Sequence, residues 1–398
     1  MEMHRPGAGA PLLLIRGGQV YSPDNLGRQD VLIAAGRIVA VSRELSLPRG
    51  DLVDEVDATG LLVLPGFIDA HVHIIGGGGE GGPETRNRDI LLGSITRAGV
   101  TTVIGMIGVD CLTRTVEDLL AKARALTLEG ITAYILTGGY AVPTPTITGS
   151  VVRDIAFIED VLGVGEIAVS DHRSSQPTLS ELQKIAAEAR MGGLLGKKCG
   201  VMVFHVGNGP RGLQPLREIL DNTEIPATQL IPCHVNRNPR LFAESIEYAR
   251  KWGMVDLTAG IAPALGFADA IKPSQAVKRL LEAGVSIDRI TMTSDANGNM
   301  PVFNAAGEVI GLEVQQVIHL YNEVRDLVRE ERLPVDAAIL PVTKNVAHYF
   351  RLRNKGAVSV GKDADLLLVE PDLTLRSVYA HGHLMVRDGE LLVRGVYE

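Results

Sequence analysis

Two histidines stand two residues apart at the end of a short apolar run, Phe67-Ile-Asp-Ala-His71-Val-His73-Ile74. In a strand, residues i and i+2 face the same side, so both imidazoles can address one point, as a metal ion requires. Glycines follow from Gly76 to Gly79, then Glu80; glycine lets a loop turn tightly and lets a ligand approach the backbone. The HxH spacing is a weak signal alone, two hydrogen-bonded strand histidines being the ordinary alternative. The signal strengthens because ionisable residues recur at the ends of other apolar runs: Tyr140, Glu166 with Asp171-His172-Arg173, His205, His234 and Asp295. Imidazole and carboxylate ligands suit zinc, with other late first-row divalent ions open. Four histidines, a glutamate and an aspartate are too many for one tetrahedral ion. A carboxylate between two ions about 3.5–4 Å apart would make a binuclear centre, which acidifies a bridging water and polarises a carbonyl. The chemistry implied is hydrolysis of an amide-like bond. Cys233 abuts His234, but adjacent strand residues face opposite ways, so it is expected as a small buried hydrophobe and not as a nucleophile.

The elements that must position these residues read as an alternation. Apolar runs at 67–74, 101–108, 132–140, 165–172, 201–207, 230–236, 255–261 and 290–296 have the continuous character of parallel strands buried on both faces. Helical patterns lie between them at 86–98, 115–129, 178–192, 239–252 and 274–283, and two more follow at 313–330 and 334–349. Capping boxes are partial at best, as at Ser180 and Gln183. Eight strand–helix units fit a (β/α)8 TIM-like barrel, whose active site lies at the C-terminal ends of its strands. The chemistry-bearing residues above fall at those ends. Residues 1–64 and 357–398 carry short β-branched runs punctuated by Gly, Asn and Asp. Both ends are expected to build one small β-sandwich domain around a barrel spanning 65–356.

Composition narrows the partners. A net charge of −8 argues against nucleic acid or an anionic membrane as the main partner. No apolar run approaches the roughly 20 residues of a membrane span, and residues 1–18 show no signal-peptide pattern. Three unclustered cysteines, Cys111, Cys199 and Cys233, fit a reducing cytoplasm.

The chain resembles the isoaspartyl dipeptidases (β-aspartyl peptidases) of the amidohydrolase superfamily over nearly its whole length. The resemblance is carried by Gly66-Phe-Ile-Asp-Ala-His-Val-His73 with Gly76-Gly-Gly-Gly-Glu80, Thr146-Ile-Thr-Gly-Ser150, Ser170-Asp-His-Arg-Ser174, Gly192-Gly-Leu-Leu-Gly196, His234-Val-Asn-Arg-Asn238 and Ser294-Asp295. It implies a dipeptidase that cleaves the isopeptide bond of β-aspartyl dipeptides by attack of a hydroxide bridging two divalent metals, zinc being expected. It implies His71, His73 and Asp295 on one metal and His205 and His234 on the other. Asp295 would be general base and acid, and Tyr140 an oxyanion donor. Glu80 would hold the substrate ammonium, and Arg173 and Arg237 its carboxylates. A large homo-oligomer is also implied. A β-aspartyl dipeptide carries one ammonium and two carboxylates, so one extra acid and two extra arginines match its charges, and arginine meets a carboxylate with paired hydrogen bonds.

Three positions depart from the family pattern. Glu166 stands where a carboxylated lysine usually bridges the metals; it needs no carbon dioxide but is several atoms shorter, and Gly165 reads as an extra residue beside it. Bridging by Glu166 is expected, the alternative being a single tightly held metal. Asn299 replaces a substrate-binding serine, and Val109 replaces a threonine. The competing readings are a cyclic-amide hydrolase, an N-acyl-amino-acid deacylase and a catalytically inactive scaffold. The first two act on substrates without a free ammonium, which would leave Glu80 without a partner. The remaining histidines are expected to be structural: His172 as a loop anchor, His381 and His383 in the small domain, and His4, His319 and His348 as solvated or capping residues.

Overall fold

The computed structural model describes residues 11–47, 52–303 and 309–398. Eight parallel strands form the barrel: Phe67–Val72, Val100–Gly105, Thr132–Thr137, Val161–Val169, Met202–Val206, Leu230–Cys233, Val255–Thr258 and Ile290–Thr293. The first six make one continuous parallel sheet, and the last two pair with each other. Two seams close the ring. The His73 N–H donates to the Ala296 carbonyl at 2.9 Å, and the Val235 N–H donates to the Asp256 carbonyl at 3.3 Å. Site-bearing strand ends are therefore tied to each other directly.

The interior of the barrel is filled by Ile68, Ile104, Leu136, Val203 and Ile231, with Val346, Phe350 and Leu352 in the same cluster. It is a packed plug, so chemistry must take place above it, at the C-terminal mouth. A larger apolar layer joins the strands to the surrounding helices, for instance Leu119 and Leu126 of helix Val116–Glu129 and Leu182 and Ile185 of helix Leu179–Gly196.

Both ends of the chain meet in one hydrogen-bonded sheet of nine strands. Strand Leu62–Pro65 is the joint: it pairs in parallel with Leu12–Tyr21 and antiparallel with Leu366–Val369. This sheet has its own core, built on Ile15, Val31, Ile38, Val63, Leu366 and Tyr379.

Several elements differ from the sequence reading. Helices Val151–Phe157 and Gln214–Asp221 were not expected; they are short, and short amphipathic stretches are hard to separate from loops. The pattern at 313–330 is a strand, Val309–Val314, followed by helix Ile318–Arg329. The strand pairs antiparallel with Asn299–Phe303, a partner that a local reading does not reveal. The pattern at 334–349 is broken at Pro341 into Val335–Ala338 and Lys344–Tyr349, because proline removes an N–H and clashes with the preceding turn. A full capping box is present two residues before the Ser180–Gln183 pair. The Thr178 side chain accepts from the Glu181 N–H, and the Glu181 carboxylate accepts from the Thr178 N–H. No helix among the described residues is long and apolar enough to cross a membrane.

Candidate metal centre and active site

Four imidazoles converge on the Glu166 carboxylate. Its Oε2 lies 3.3 Å from His71 Nε2, His205 Nδ1 and His234 Nε2, and its Oε1 lies 3.6 Å from His73 Nε2. One carboxylate, 1 % exposed, thus faces both histidine pairs. The local backbone explains its reach. Opposite the neighbouring strand, Val164 pairs with Met202 but Ile167 pairs with Phe204, so the Glu166 strand has one residue more. A bulge of this kind re-aims a side chain. Gly165 is required there: a Cβ would sit 2.8 Å from the Val203 Cβ.

Asp295 stands beside the first pair, its Oδ1 3.0 Å from His73 Nε2 and 3.6 Å from His71 Nε2. Ligand atoms of His71, His73 and Asp295 lie within 4.8 Å of one another, as do those of His71, Glu166 and His234. His205 meets the second group through Glu166. His234 and Asp295 both adopt left-handed backbone, φ 63° and 56°. This conformation costs a non-glycine residue of order 1–3 kcal/mol and is concentrated at functional sites.

Most rings are anchored on one nitrogen and open on the other. His73 Nδ1 is 3.3 Å from the Met106 carbonyl, an acceptor only, so Nδ1 carries the proton and Nε2 offers a lone pair. His234 Nδ1 is held by the Thr258 hydroxyl at 2.8 Å. His205 Nε2 donates to Asp171 Oδ2 at 3.0 Å. This is how metal-binding histidines are oriented and kept in one tautomer. Burial holds His234 down at about 3, so it is neutral at pH 7, the ligating form. His71 is fully buried with neither ring nitrogen hydrogen-bonded among the described residues. A buried polar atom without a partner is costly, and a cation beside His71 Nε2 would remove that cost. The donor set therefore fits divalent metal.

The rim carries the remaining expected residues. The Tyr140 hydroxyl donates to His205 Nδ1 at 2.6 Å; burial first, then the Glu166 charge, push the phenol well above its ordinary value, so it keeps its proton at neutral pH. Arg173 makes a two-pronged pair with Asp171, at 3.0 and 2.9 Å. Its Nη1 is 3.4 Å from Glu80 Oε1 and its Nη2 is 3.3 Å from His205 Nε2. Arg237 has a buried Nε without a hydrogen-bond partner among the described residues. Asn299 turns to the glycine loop, its amide donating to the Thr85 carbonyl at 3.3 Å. Cys233 is buried, and burial pushes its thiol up, away from the reactive thiolate.

Comparisons with known proteins agree with this layout. Two models described as "Amidohydrolase family" match residues 202–390 and 54–129. The crystal structure of the β-aspartyl dipeptidase from Fervidobacterium islandicum AW-1, in complex with β-Asp-Leu dipeptide, is 41% identical, with TM-score 0.87, over 96% of this chain and 98% of that one. The chain belongs to the β-aspartyl dipeptidase family of the amidohydrolase superfamily. More distant curated relatives are dihydroorotases. That of Lactobacillus gasseri is 26% identical, over 90% of this chain and 88% of that protein. That of Lactobacillus johnsonii is 28% identical over 63% of this chain, which spans only 59% of that protein's length.

Several residues that organise this amidohydrolase site were not singled out from sequence. Arg114 is buried and donates to three carbonyls of the glycine loop region: Ile75, Gly77 at 2.8 Å and Asn87 at 3.1 Å. Asn87 and Asn297 lace that loop to the last strand, through Gly77 N–H to Asn87 Oδ1 at 2.6 Å and Asn297 Nδ2 to the His73 carbonyl at 3.0 Å. Asp154 gathers Thr137, Ile147 and Thr148 and shapes the 146–150 loop. Most of these partners lie ten or more residues away, Ile147 and Thr148 standing seven and six from Asp154, and none repeats at a regular local spacing except Asp110–Arg114, at 3.9 Å and i, i+4. His172 is exposed and has no hydrogen bond among the described residues, so it does not anchor its loop. His381 binds the Thr132 hydroxyl at 2.9 Å and His383 is exposed. His319 is half-buried with an unpartnered Nδ1, so it is neither solvated nor capping; His348 is exposed, and His4 lies outside the described residues.

Proposed function

We propose that this amidohydrolase is a metal-dependent dipeptidase that hydrolyses the isopeptide bond of β-aspartyl dipeptides. The observation that carries the reading is Arg173, which reaches both Glu80 and the His205 ring. It places an acid and a guanidinium on the rim of the histidine cluster, with Arg237 as a second cation. That arrangement is charge-matched to a zwitterionic substrate, whereas a cyclic amide such as dihydroorotate carries a carboxylate for an arginine but no ammonium for Glu80.

Two divalent cations, zinc by donor type, held by His71, His73, Glu166, His205, His234 and Asp295 would supply an acidified water and polarise the scissile carbonyl. The protein's own groups do the rest. Arg173 and Arg237 fix the carboxylates and Glu80 the ammonium, which sets the scissile bond over Asp295. Asp295 accepts the proton of the attacking water and returns it to the leaving amine. Tyr140 releases His205 and donates its hydroxyl proton in a hydrogen bond to the developing oxyanion. The buried plug beneath keeps bulk water from one side.

The test is kcat/KM on β-Asp-Leu, α-Asp-Leu, N-acetyl-β-Asp-Leu and dihydroorotate, with metal content measured on the same preparation. The expected result is turnover of the first alone, about two ions per chain, and relaxed rejection of the N-blocked peptide in Glu80→Gln. Preferential turnover of dihydroorotate would replace this reading with a cyclic-amide hydrolase.

A further inference from the structure

A cleft of about 590 Å³ opens beneath the barrel. Val201 lines it just before strand Met202–Val206, whose other end carries His205, so the cleft is at the mouth opposite the metal centre. Ser22 and Pro23, in the turn between strands Leu12–Tyr21 and Asn25–Ala34 of the nine-stranded sheet, line it too, so it lies between the barrel floor and the small domain. Six of its eighteen lining residues are lysine or arginine, and none is aspartate or glutamate. The chain as a whole has more acids than bases, 47 against 39, so composition alone would place acids there as well.

The charges are also unbalanced pair by pair. Lys355 is neutralised by Asp363 at 2.9 Å and Asp365 at 2.6 Å. The other five make no ion pair within 4 Å among the described residues, although Lys362 feels the charge of the neighbouring Asp363. Arg190 donates to the Gln229 side-chain carbonyl at 3.3 Å, Arg351 to the Lys198 carbonyl at 3.2 Å, and Lys362 to the Arg353 and Lys355 carbonyls at 2.5 and 3.3 Å. The side chains of Lys344 and Arg353 make no hydrogen bond among the described residues, and both are exposed to the solvent that fills the cleft. Like charges in one concavity repel, and low-dielectric walls strengthen the field they project. An arginine fork beside lysine point charges is the chemistry that binds phosphate and carboxylate groups.

We infer that this cleft binds a small multivalent anion, of phosphate or polycarboxylate type, with Lys344 and Arg353 meeting it and Arg190, Arg351 and Lys362 around it. The site goes beyond the hydrolytic reading and does not depend on it. Because its walls come from both the barrel floor and the small domain, an occupied cleft would bridge them and stabilise the folded state by mass action.

Calorimetric titration of the metal-loaded enzyme with pyrophosphate, and separately with citrate, at fixed ionic strength tests this. Saturable binding is expected, weaker by at least about tenfold in the Lys344→Gln/Arg353→Gln double variant, with kcat on the dipeptide substrate unchanged. The preferred anion distinguishes a phosphate from a polycarboxylate ligand. Both anions also chelate metal, so binding that persists in the double variant belongs to the metal centre and overturns the inference. Absence of binding by both anions overturns it equally. Should the double variant not fold, Lys344→Gln alone is read by the same criterion.

Discussion

The barrel mouth and the junction with the small domain both take carboxylates out of solvent, Asp295 least completely with its side chain 21% exposed, and use them differently. At the junction, Asp363 and Asp365 are 7% and 6% exposed, and the Lys355 ammonium lies between them, with Arg37 3.0 Å from Asp363. At the mouth, Glu166 and Asp295 meet imidazoles, and the nearby Arg173 is already committed to Asp171. Asp256 shows a third setting, with neither arrangement: it accepts from the hydroxyls of Thr291 at 2.7 Å and Thr293 at 2.6 Å, and burial raises it to about 6. Desolvation is common to all three, so the partner decides the role. An acid neutralised by the chain's own ammonium is structural. An acid with only hydroxyls tends to keep its proton. An acid ringed by imidazole lone pairs is prepared for a cation the chain does not contain.

The largest test of that contrast is Asp295→Asn. It should lower kcat by about 10²–10⁴-fold, the range of a general acid–base group, while the thermal midpoint stays near that of the parent. A large loss of stability with little loss of rate would make Asp295 a structural acid like Asp365. Lys355→Met should do the reverse. Two buried carboxylates lose their cation, so urea unfolding should show a loss of about 3–5 kcal/mol, with kcat preserved in the folded protein. Tyr140→Phe should then cost about 3 kcal/mol in kcat, the scale of one oxyanion donor; an effect confined to KM would contradict the donor role.

The smallest effect concerns Asp256. Its folded value of about 6 exceeds the ordinary 3.8, so between those values the folded protein holds a proton that the unfolded chain has released. Stability from this group is therefore lost as pH rises from about 4 to about 6, by at most about 3 kcal/mol. Asp256→Asn should flatten the stability–pH profile across that window; an unchanged slope would show that Asp256 is ionised in the fold, as Glu166 is expected to be.

The side chains of the histidine–carboxylate cluster were legible in the sequence because each stands at the end of an apolar run, and a parallel barrel sends such ends to one mouth. His71 and His73 needed only the two-residue period of a strand. Glu166 needed more: the spacing to Asp171 marked its slot, but only the register against Met202 and Phe204 shows how the extra residue turns the carboxylate inwards. Asn299 was expected to face substrate; the structure adds that its amide also donates to the Thr85 carbonyl beside Gly78 of the glycine loop. Asn87 and Asn297 carried no local signature, and Arg114 only its i, i+4 spacing to Asp110.

Residue type and period thus specified the barrel, the small sheet drawn from both ends, and a histidine–carboxylate cluster, since these follow from which side chains must be buried and how often they recur. Which nitrogen each imidazole presents, which buried acid owns a cation, and where lysines and arginines without an ion pair among the described residues gather under the barrel follow from contacts across long stretches of chain. No local pattern encodes those contacts, because their energies depend on distance and desolvation that arise only when the strands close.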